Sequence, residues 1–268
     1  MNLICPICGS RLHRGEREFA CELRHSFDIA RQGYVNLLTV QQKKSLHPGD
    51  TREQVLSRRA FLDAEFYRPI ADCLCETAKE LGAEGPILDV GCGEGYYCTR
   101  LAKALNAELT GLDISKEAVR VAAGKYKDAT WLCATAAHIP VPDRSVKTLT
   151  SLFALTLPEE FSRILADDGY YFQVLAAQDH LLGLKSIIYP ELLLKEKDSV
   201  PELPGFELVK SLPIRFEFTV EGEQVQNLLS MTPHVYRISK EGAARLAATE
   251  KLTDTASAVL NVYRKNKE

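Results

Sequence analysis

No stretch of this sequence approaches the roughly 18 consecutive apolar residues that a membrane-spanning helix needs. Nor does it open with a basic segment, an apolar stretch and a small-residue cleavage site, the pattern of an export signal. The expectation is a cytoplasmic protein without a membrane partner. An excess of positive charge is missing too. The 33 Lys+Arg against 36 Asp+Glu leave −3 over 268 residues, a balance that argues mildly against a nucleic-acid partner. Disorder is excluded, because 46% hydrophobic residues supply a proper core. The length suits one large domain, or one domain with a small appendage. The residue present in surplus is cysteine, with eight copies where packing needs fewer.

The charge is unevenly spread. Residues 1–60 hold ten Lys+Arg (Arg11, Arg14, Arg17, Arg24, Arg31, Lys43, Lys44, Arg52, Arg58 and Arg59) against six acids (Glu16, Glu18, Glu22, Asp28, Asp50 and Glu53). That end is therefore +4 and the remainder −7. A basic end on an acidic body is what a polyanion-facing segment looks like, and equally an unevenly charged solvated surface.

Cys5, Cys8, Cys21 and His25 form C-P-I-C-x12-C-x3-H. A pair of Cys two residues apart offers two thiolates to one ion, and a second knuckle completes a tetrahedron. Gly9 sits where the backbone must turn back, and Phe19 and Phe27 can pack against the site. The alternatives are free thiols with an incidental His, or disulfides, which the absence of an export signal disfavours. Four protein ligands leave no open position, so the Zn2+ would be structural. His13 reads as a spare surface residue. In a segment of about 40 residues with little core, the metal would drive folding. Cys5→Ser is thus expected to destabilise the N-terminal domain rather than the rest. Cys73, Cys75, Cys92, Cys98 and Cys133 lack ligand spacing and read as small buried residues.

Residues 29–50 read as an irregular connector, with the polar run Gln41–Lys44. Helical spacing follows from Arg52 to Ala64 and again from Tyr67 to Leu81, with Pro69 in the first turn. Then Pro86–Gly95 is an apolar strand running into a glycine-rich turn, followed by a helix. Glu108–Asp113 is a second strand ending in an acid, and Ser115 caps a helix over 116–126. Ala129–Ala134, Val146–Phe153 and Gly169–Ala176 continue the strands, with a helix over Pro158–Ala166. Phe206–Val220 and Ala258–Arg264 read as a closing antiparallel pair, with a helix over Gln224–Ser230 between them. This alternation predicts an α/β, doubly wound, mostly parallel sheet whose ligands bind at the carboxyl ends of the strands.

The turn Asp89-Val-Gly91-Cys-Gly93-Glu94-Gly95 lets backbone approach a ligand, although a lone G-x-G is shared by several nucleotide-binding sheets. Gly95 follows Gly93 by two residues, where the dinucleotide fingerprint has three. Asp113 can accept two ribose hydroxyls. D-V-G-C-G-E-G-Y followed by G-L-D-I-S resembles the S-adenosylmethionine-dependent methyltransferases of the Rossmann class. That resemblance implies a Rossmann-like class I fold with a seven-stranded sheet. It places the glycine turn under the methionine part of the cofactor, Asp113 on the ribose, and the segment from Ala134 to Ser145 beside the adenine. Many members have an aspartate where this chain has Lys147.

The knuckle residues, His25-Ser-Phe-Asp28, Gly33–Leu38, Pro48-Gly-Asp50, Arg58–Asp63, Asp89–Tyr97 and Met231-Thr-Pro233 together closely resemble the bacterial 23S ribosomal RNA guanine-N1 methyltransferases, which include macrolide-resistance enzymes. The resemblance covers most of the chain. It implies a zinc-binding RNA-recognition domain with its connector over 1–45 and a methyltransferase domain over 46–268. It further implies a grip on a 23S RNA hairpin, a homodimer, and cofactor contacts from Tyr67, Gly93, Glu94 and His180. One departure is Phe153-Ala154-Leu155, where the family typically has aromatic-Ala-Pro.

Guanine N1 must lose a proton during transfer, and Asp179, His180 and His138, near strand ends, are the candidate bases. The target base must be unpaired or flipped out, and Phe153, Tyr34 and Tyr67 are candidates to stack on it. The residues also allow a small-molecule methyltransferase, or a binding module that has lost transfer.

Overall fold

The structure, a computed structural model, describes residues 1–43, 45–46, 48–192 and 198–266. Lys44, part of the polar run read in the connector, lies outside the described residues. The chain opens with four short strands, β1 (Leu3–Ile4), β2 (Arg11–Arg14), β3 (Glu18–Cys21) and β4 (Ser26–Asp28), paired antiparallel in sequence order. This is a ribbon with a thin interior of its own, in which Phe19 faces Phe27 across β3 and β4.

Strand β5 (Tyr34–Asn36) follows, in a connector whose sequence reads as irregular. It pairs parallel with a strand of the main sheet, Tyr34 opposite Trp131 and Asn36 opposite Cys133. Three residues carry too little periodicity to announce a strand; the partner edge specifies it. Helix α1 (Arg52–Asp63) starts at a capping box in which the Gln54 amide donates to Thr51 Oγ1 (3.3 Å) and the Thr51 amide to Gln54 Oε1 (3.0 Å). Helix α2 (Arg68–Glu80) carries Pro69 in its first turn, as predicted.

The doubly wound core runs β6 (Ile87–Val90), α3 (Tyr96–Leu105), β7 (Leu109–Asp113), α4 (Lys116–Lys125), β8 (Thr130–Cys133), β9 (Val146–Leu152), α5 (Pro158–Ile164), β10 (Leu165–Ala176) and α6 (Leu182–Ile188). It finishes with β11 (Phe206–Glu221), α7 (Glu223–Ser230), α8 (Lys240–Ala247) and β12 (Lys251–Lys265). The strand order is β11-β12-β10-β9-β6-β7-β8-β5, with β12 antiparallel between β10 and β11 and the other pairings parallel. The seven expected strands are present, and β5 adds an eighth at the edge. No helix among the described residues is long and apolar enough to cross a membrane.

Alternate residues of the strands feed two cores. Ile87, Trp131 and Phe172 face one layer, formed with Phe61, Leu74, Leu101 and Leu228. Leu88, Leu112, Leu132 and Tyr171 face the other, formed with Phe161 and Ile164 of α5. On that second face the link from β8 to β9, residues 134–145, contains no helix. The ribbon fills the space. Its Leu3, Leu12 and Phe19 are buried in the same cluster as Leu88, Val90, Leu112 and Leu132, together with Ile139 and Val141 of the link. The Ile4 amide donates to the Pro140 carbonyl (3.0 Å), and the N-terminal ammonium pairs with Glu108. Each of these side chains contributes about 1.5–3 kcal/mol by leaving water. The expectation that Cys5→Ser would spare the main domain is therefore corrected: the ribbon is one of the layers that cover the sheet.

Candidate functional site

The two knuckles are shaped by backbone turns. The Gly9 amide donates to the Cys5 carbonyl (2.8 Å), and the Cys21 amide to the His25 carbonyl (3.0 Å). The turns bring the donor atoms of Cys5, Cys8, Cys21 and His25 within 4.8 Å of one another. Cys8 Sγ to Cys21 Sγ is 3.7 Å, Cys5 Sγ to His25 Nδ1 is 3.6 Å and Cys21 Sγ to His25 Nδ1 is 3.5 Å. A tetrahedron with Zn–S of about 2.3 Å and Zn–N of about 2.0–2.1 Å has edges of about 3.8 and 3.5–3.6 Å. The donor set therefore fits zinc in both chemistry and spacing. Ser10 Oγ, 3.0 Å from Cys8 Sγ, holds that thiol down at about 7, favouring the ligating thiolate. His13 is exposed on β2, outside the set. Of the other five thiols, Cys92, Cys98 and Cys133 are buried as read, whereas Cys73 and Cys75 are only half-buried. Burial pushes Cys73, Cys75, Cys92 and Cys98 up, and Cys133 up to about 11, against a role as nucleophile.

The second site lies at the carboxyl ends of β6, β7, β8 and β9. Gly91 has φ +82°, and a Cβ there would stand 2.5 Å from the Cβ of Ala154. Gly93 has φ +54°, and a Cβ there would meet only the Arg58 guanidinium, at 3.7 Å. The turn thus packs tightly on the loop after β9 at one glycine and presents bare backbone to open space at the next. The Gly93 amide donates to Asp113 Oδ2 (2.9 Å) and the Ser115 amide to Asp113 Oδ1 (2.8 Å). Asp113 is fixed by these donors and retains lone pairs for further hydroxyls. Ala134 closes β8 beside it, its amide donating to the Asp113 carbonyl (3.1 Å). Asp89 is buried in β6 and accepts from Thr150 Oγ1 (2.6 Å). Glu94 is 5% exposed, and its Oε2 is buried with no hydrogen-bond partner. An orphaned carboxylate oxygen beside an open glycine turn fits a polar ligand that completes the site.

Tyr67, Phe153 and His180 close the cleft from the other side. The Tyr67 hydroxyl and His180 Nε2 are 3.2 Å apart, and the Phe153 ring centroid lies 6.3 Å from Tyr67 and 6.0 Å from His180. Phe153 adopts φ +53°, a strained conformation for a bulky residue, and remains 39% exposed. Two candidates fall elsewhere. Asp179 points to Arg215, and hydrogen bonding from Ser257 with the Arg215 charge holds it below its ordinary range. His138 is exposed on the link after β8. Tyr34 is buried under the sheet edge and is no stacking platform. Leu155 is 56% exposed, and its carbonyl accepts from Ser151 Oγ (3.0 Å). Asp50 and Arg58, whose ion pair (2.5 Å) stands over the glycine turn, have no signal in their own spacing.

Burial without full pairing makes the cleft pH-sensitive. Desolvation lifts Glu94 from 4.5 to about 7, opposed by the Arg58 charge, and lifts Asp89 from 3.8 to about 6, opposed by Thr150. In both cases the folded chain holds the proton more tightly than the unfolded chain. The stabilisation is complete below the unfolded value and is lost as pH rises through the folded one. Cofactor-free protein should therefore lose stability between pH 4.5 and about 7, by up to about 1.4 kcal/mol per unit from Glu94. Glu94→Gln should flatten that slope in urea titrations across the range. Parallel profiles for the two proteins would refute the assignment.

Comparison with known proteins matches the regions that contain both sites. A profile described as RlmA, N-terminal, a zinc ribbon, matches residues 3–46, and one described as Methyltransferase domain matches residues 87–169. A 23S rRNA (guanine(748)-N(1))-methyltransferase of Streptomyces fradiae is 32% identical over 92% of this chain and 90% of its own length. A Micromonospora griseorubida protein named for 23S rRNA (guanine-N(1)-) methyl transfer is 33% identical, over 98% of this chain and 97% of its own length. Among solved structures, an Anaeromyxobacter dehalogenans protein assigned to the type II methyltransferases superposes with a TM-score of 0.51 at 18% identity. That match covers 71% of this chain and 95% of the other, a likeness of fold.

Proposed function

From membership of the 23S ribosomal RNA guanine-N1 methyltransferase family, to which this chain belongs, we propose that it transfers a methyl group from S-adenosylmethionine to N1 of a guanine in a hairpin loop of 23S ribosomal RNA. The observation that carries this reading is the extent of the likeness, which spans the zinc ribbon and the cofactor cleft in one alignment. Residues 1–45 serve RNA recognition in this reading and residues 46–268 serve transfer.

When bound, S-adenosylmethionine supplies an electrophilic methyl group on a sulfonium, open to in-line attack. The chain's own work is to position the reactants. Gly91, Gly93, Glu94 and Gly95 cradle the methionyl part, with Asp89 buried beneath. Asp113 accepts the ribose hydroxyls, and Ala134 borders the adenine. The strained Phe153 offers its exposed ring as a platform for a flipped guanine, with Tyr67 behind it. His180, held at Nδ1 by the Ser257 backbone with Nε2 facing the Tyr67 hydroxyl in the cleft, takes the N1 proton at Nε2 in exchange for that hydroxyl contact, while His138 stands apart on the surface. Homodimeric assembly is part of the proposal; light scattering should then give twice the 29.8 kDa chain mass, and the mass of a single chain removes the dimer.

The test is methyl transfer to 23S RNA prepared from a strain lacking the gene, using labelled S-adenosylmethionine, then nucleoside mass spectrometry. The expected product is 1-methylguanosine in one hairpin. Label on another base removes the N1 assignment, and unlabelled RNA removes the activity.

A further inference from the structure

The cofactor cleft gathers Asp89, Glu94 and Asp113 around one turn. Three acids suit a ligand that carries a sulfonium and an ammonium. They do not suit its third charge, the methionyl carboxylate, which needs a cation. The cation that reaches the turn is Arg58 of α1. Its Nη1 lies 3.7 Å from where a Cβ on Gly93 would stand, and its side chain is 23% exposed.

Arg58 does not reach this position unaided. Its Nη2 is held 2.5 Å from Asp50 Oδ2. Asp50 belongs to the strap that brings the chain from the ribbon to α1. Gly49 and Asp50 are pinned to the turn that follows Asp113 and caps α4. The Ser115 hydroxyl donates to the Asp50 carbonyl (2.7 Å), and Gly49 passes so close that a Cβ there would stand 2.8 Å from the Ser115 Cβ. A guanidinium has five donors in a rigid fork, so one edge can remain on Asp50 while another meets a ligand carboxylate.

We propose that Arg58 anchors the carboxylate of S-adenosylmethionine, and that Asp50 of the strap is the positioning residue that aims it at the glycine turn. The assignment deepens the proposed function and rests on its cofactor. It also makes Gly49 and Asp50, just before α1, a wall of the cofactor site.

The experiment is isothermal titration of the full-length, zinc-loaded protein with S-adenosylmethionine and with decarboxylated S-adenosylmethionine, which keeps the sulfonium and the amine. Wild-type protein should favour the carboxylated ligand by roughly 10- to 100-fold, the worth of a charge-assisted pair. Arg58→Met should erase that preference by weakening S-adenosylmethionine alone, with the decarboxylated ligand within about twofold of wild type. Arg58→Lys should recover part of the preference. Asp50→Asn should reduce it in the wild-type background and change nothing in Arg58→Met. Equal weakening of both ligands in Arg58→Met, or no preference in the wild type, overturns the anchor while leaving the activity standing. Should Arg58→Met fail to fold, an unchanged preference in both Arg58→Lys and Asp50→Asn overturns it equally. Wild-type protein that binds neither ligand overturns the cofactor reading and the anchor together.

Discussion

Zinc-free protein should melt as a whole, in one transition, at least about 20 °C below the metal-loaded form. A structural zinc in a small ribbon is worth about 10–16 kcal/mol of apparent binding energy, comparable to the entire stability of a typical domain. Here the ribbon covers Leu88, Val90, Leu112 and Leu132 through Leu3, Leu12 and Phe19. Losing its fold exposes the central strands β6, β7 and β8 on one face. Cys5→Ser should act in the same direction, because Cys5 is itself buried at that boundary. Scanning calorimetry with and without a chelator checks this. An early small transition followed by an unchanged main one would show the ribbon to be a separable appendage. The packing also means that deleting residues 1–45 cannot separate RNA recognition from transfer, since it removes β5 and a layer of the core along with any RNA contact.

The second large effect is expected at Asp113. Its two oxygens accept from the Gly93 and Ser115 amides, so it shapes the glycine turn and caps the approach to α4 while keeping lone pairs for the ribose hydroxyls it is proposed to bind. Asp113→Ala removes all of these at once and leaves two amides searching for water. Hydrogen bonds to a charged group are worth about 1.5–3 kcal/mol each, so cofactor affinity should fall roughly 100- to 1000-fold. Asp113→Asn keeps the shape and one acceptor oxygen, and should fall about 10- to 100-fold. In turnover the loss should appear mainly in KM for S-adenosylmethionine, which binding titration checks independently. Affinity within about threefold of wild type in Asp113→Ala would remove Asp113 from the ribose site.

What the sequence revealed and what it withheld follow a physical division. The zinc ligands and the run from Asp89 to Gly95 are legible because their chemistry depends on spacing within a few residues of chain. The same holds for α1 and α4, whose caps are local, and for α2, which Pro69 opens in its first turn. Strand β5 was hidden because Tyr34, Val35 and Asn36 are a strand only by virtue of Trp131, Leu132 and Cys133 beside them. The ribbon's docking was hidden for a related reason. Nothing in Leu3, Leu12 or Phe19 says which apolar surface they cover, and the missing helix that makes room lies more than a hundred residues away. Asp50 and Arg58 stand in two separate segments of the family resemblance, and that they meet over Gly93 is set by folding alone.

The seating of the ribbon has one more consequence. A recognition module on a loose tether lets its catalytic partner sample many positions along a nucleic acid, and choice of target then falls to the pocket alone. Here the ribbon, the proposed recognition module, is bolted into the sheet, and Asp50 behind it is pinned beside the glycine turn. The span from the knuckle tips, where Ile7 and Leu23 stand exposed, to the strained Phe153 is set by the fold. Such a molecule acts as a caliper. Lengthening or shortening the RNA stem between the gripped feature and the loop by one base pair should move or abolish methylation, even with the target guanine and its neighbours unchanged.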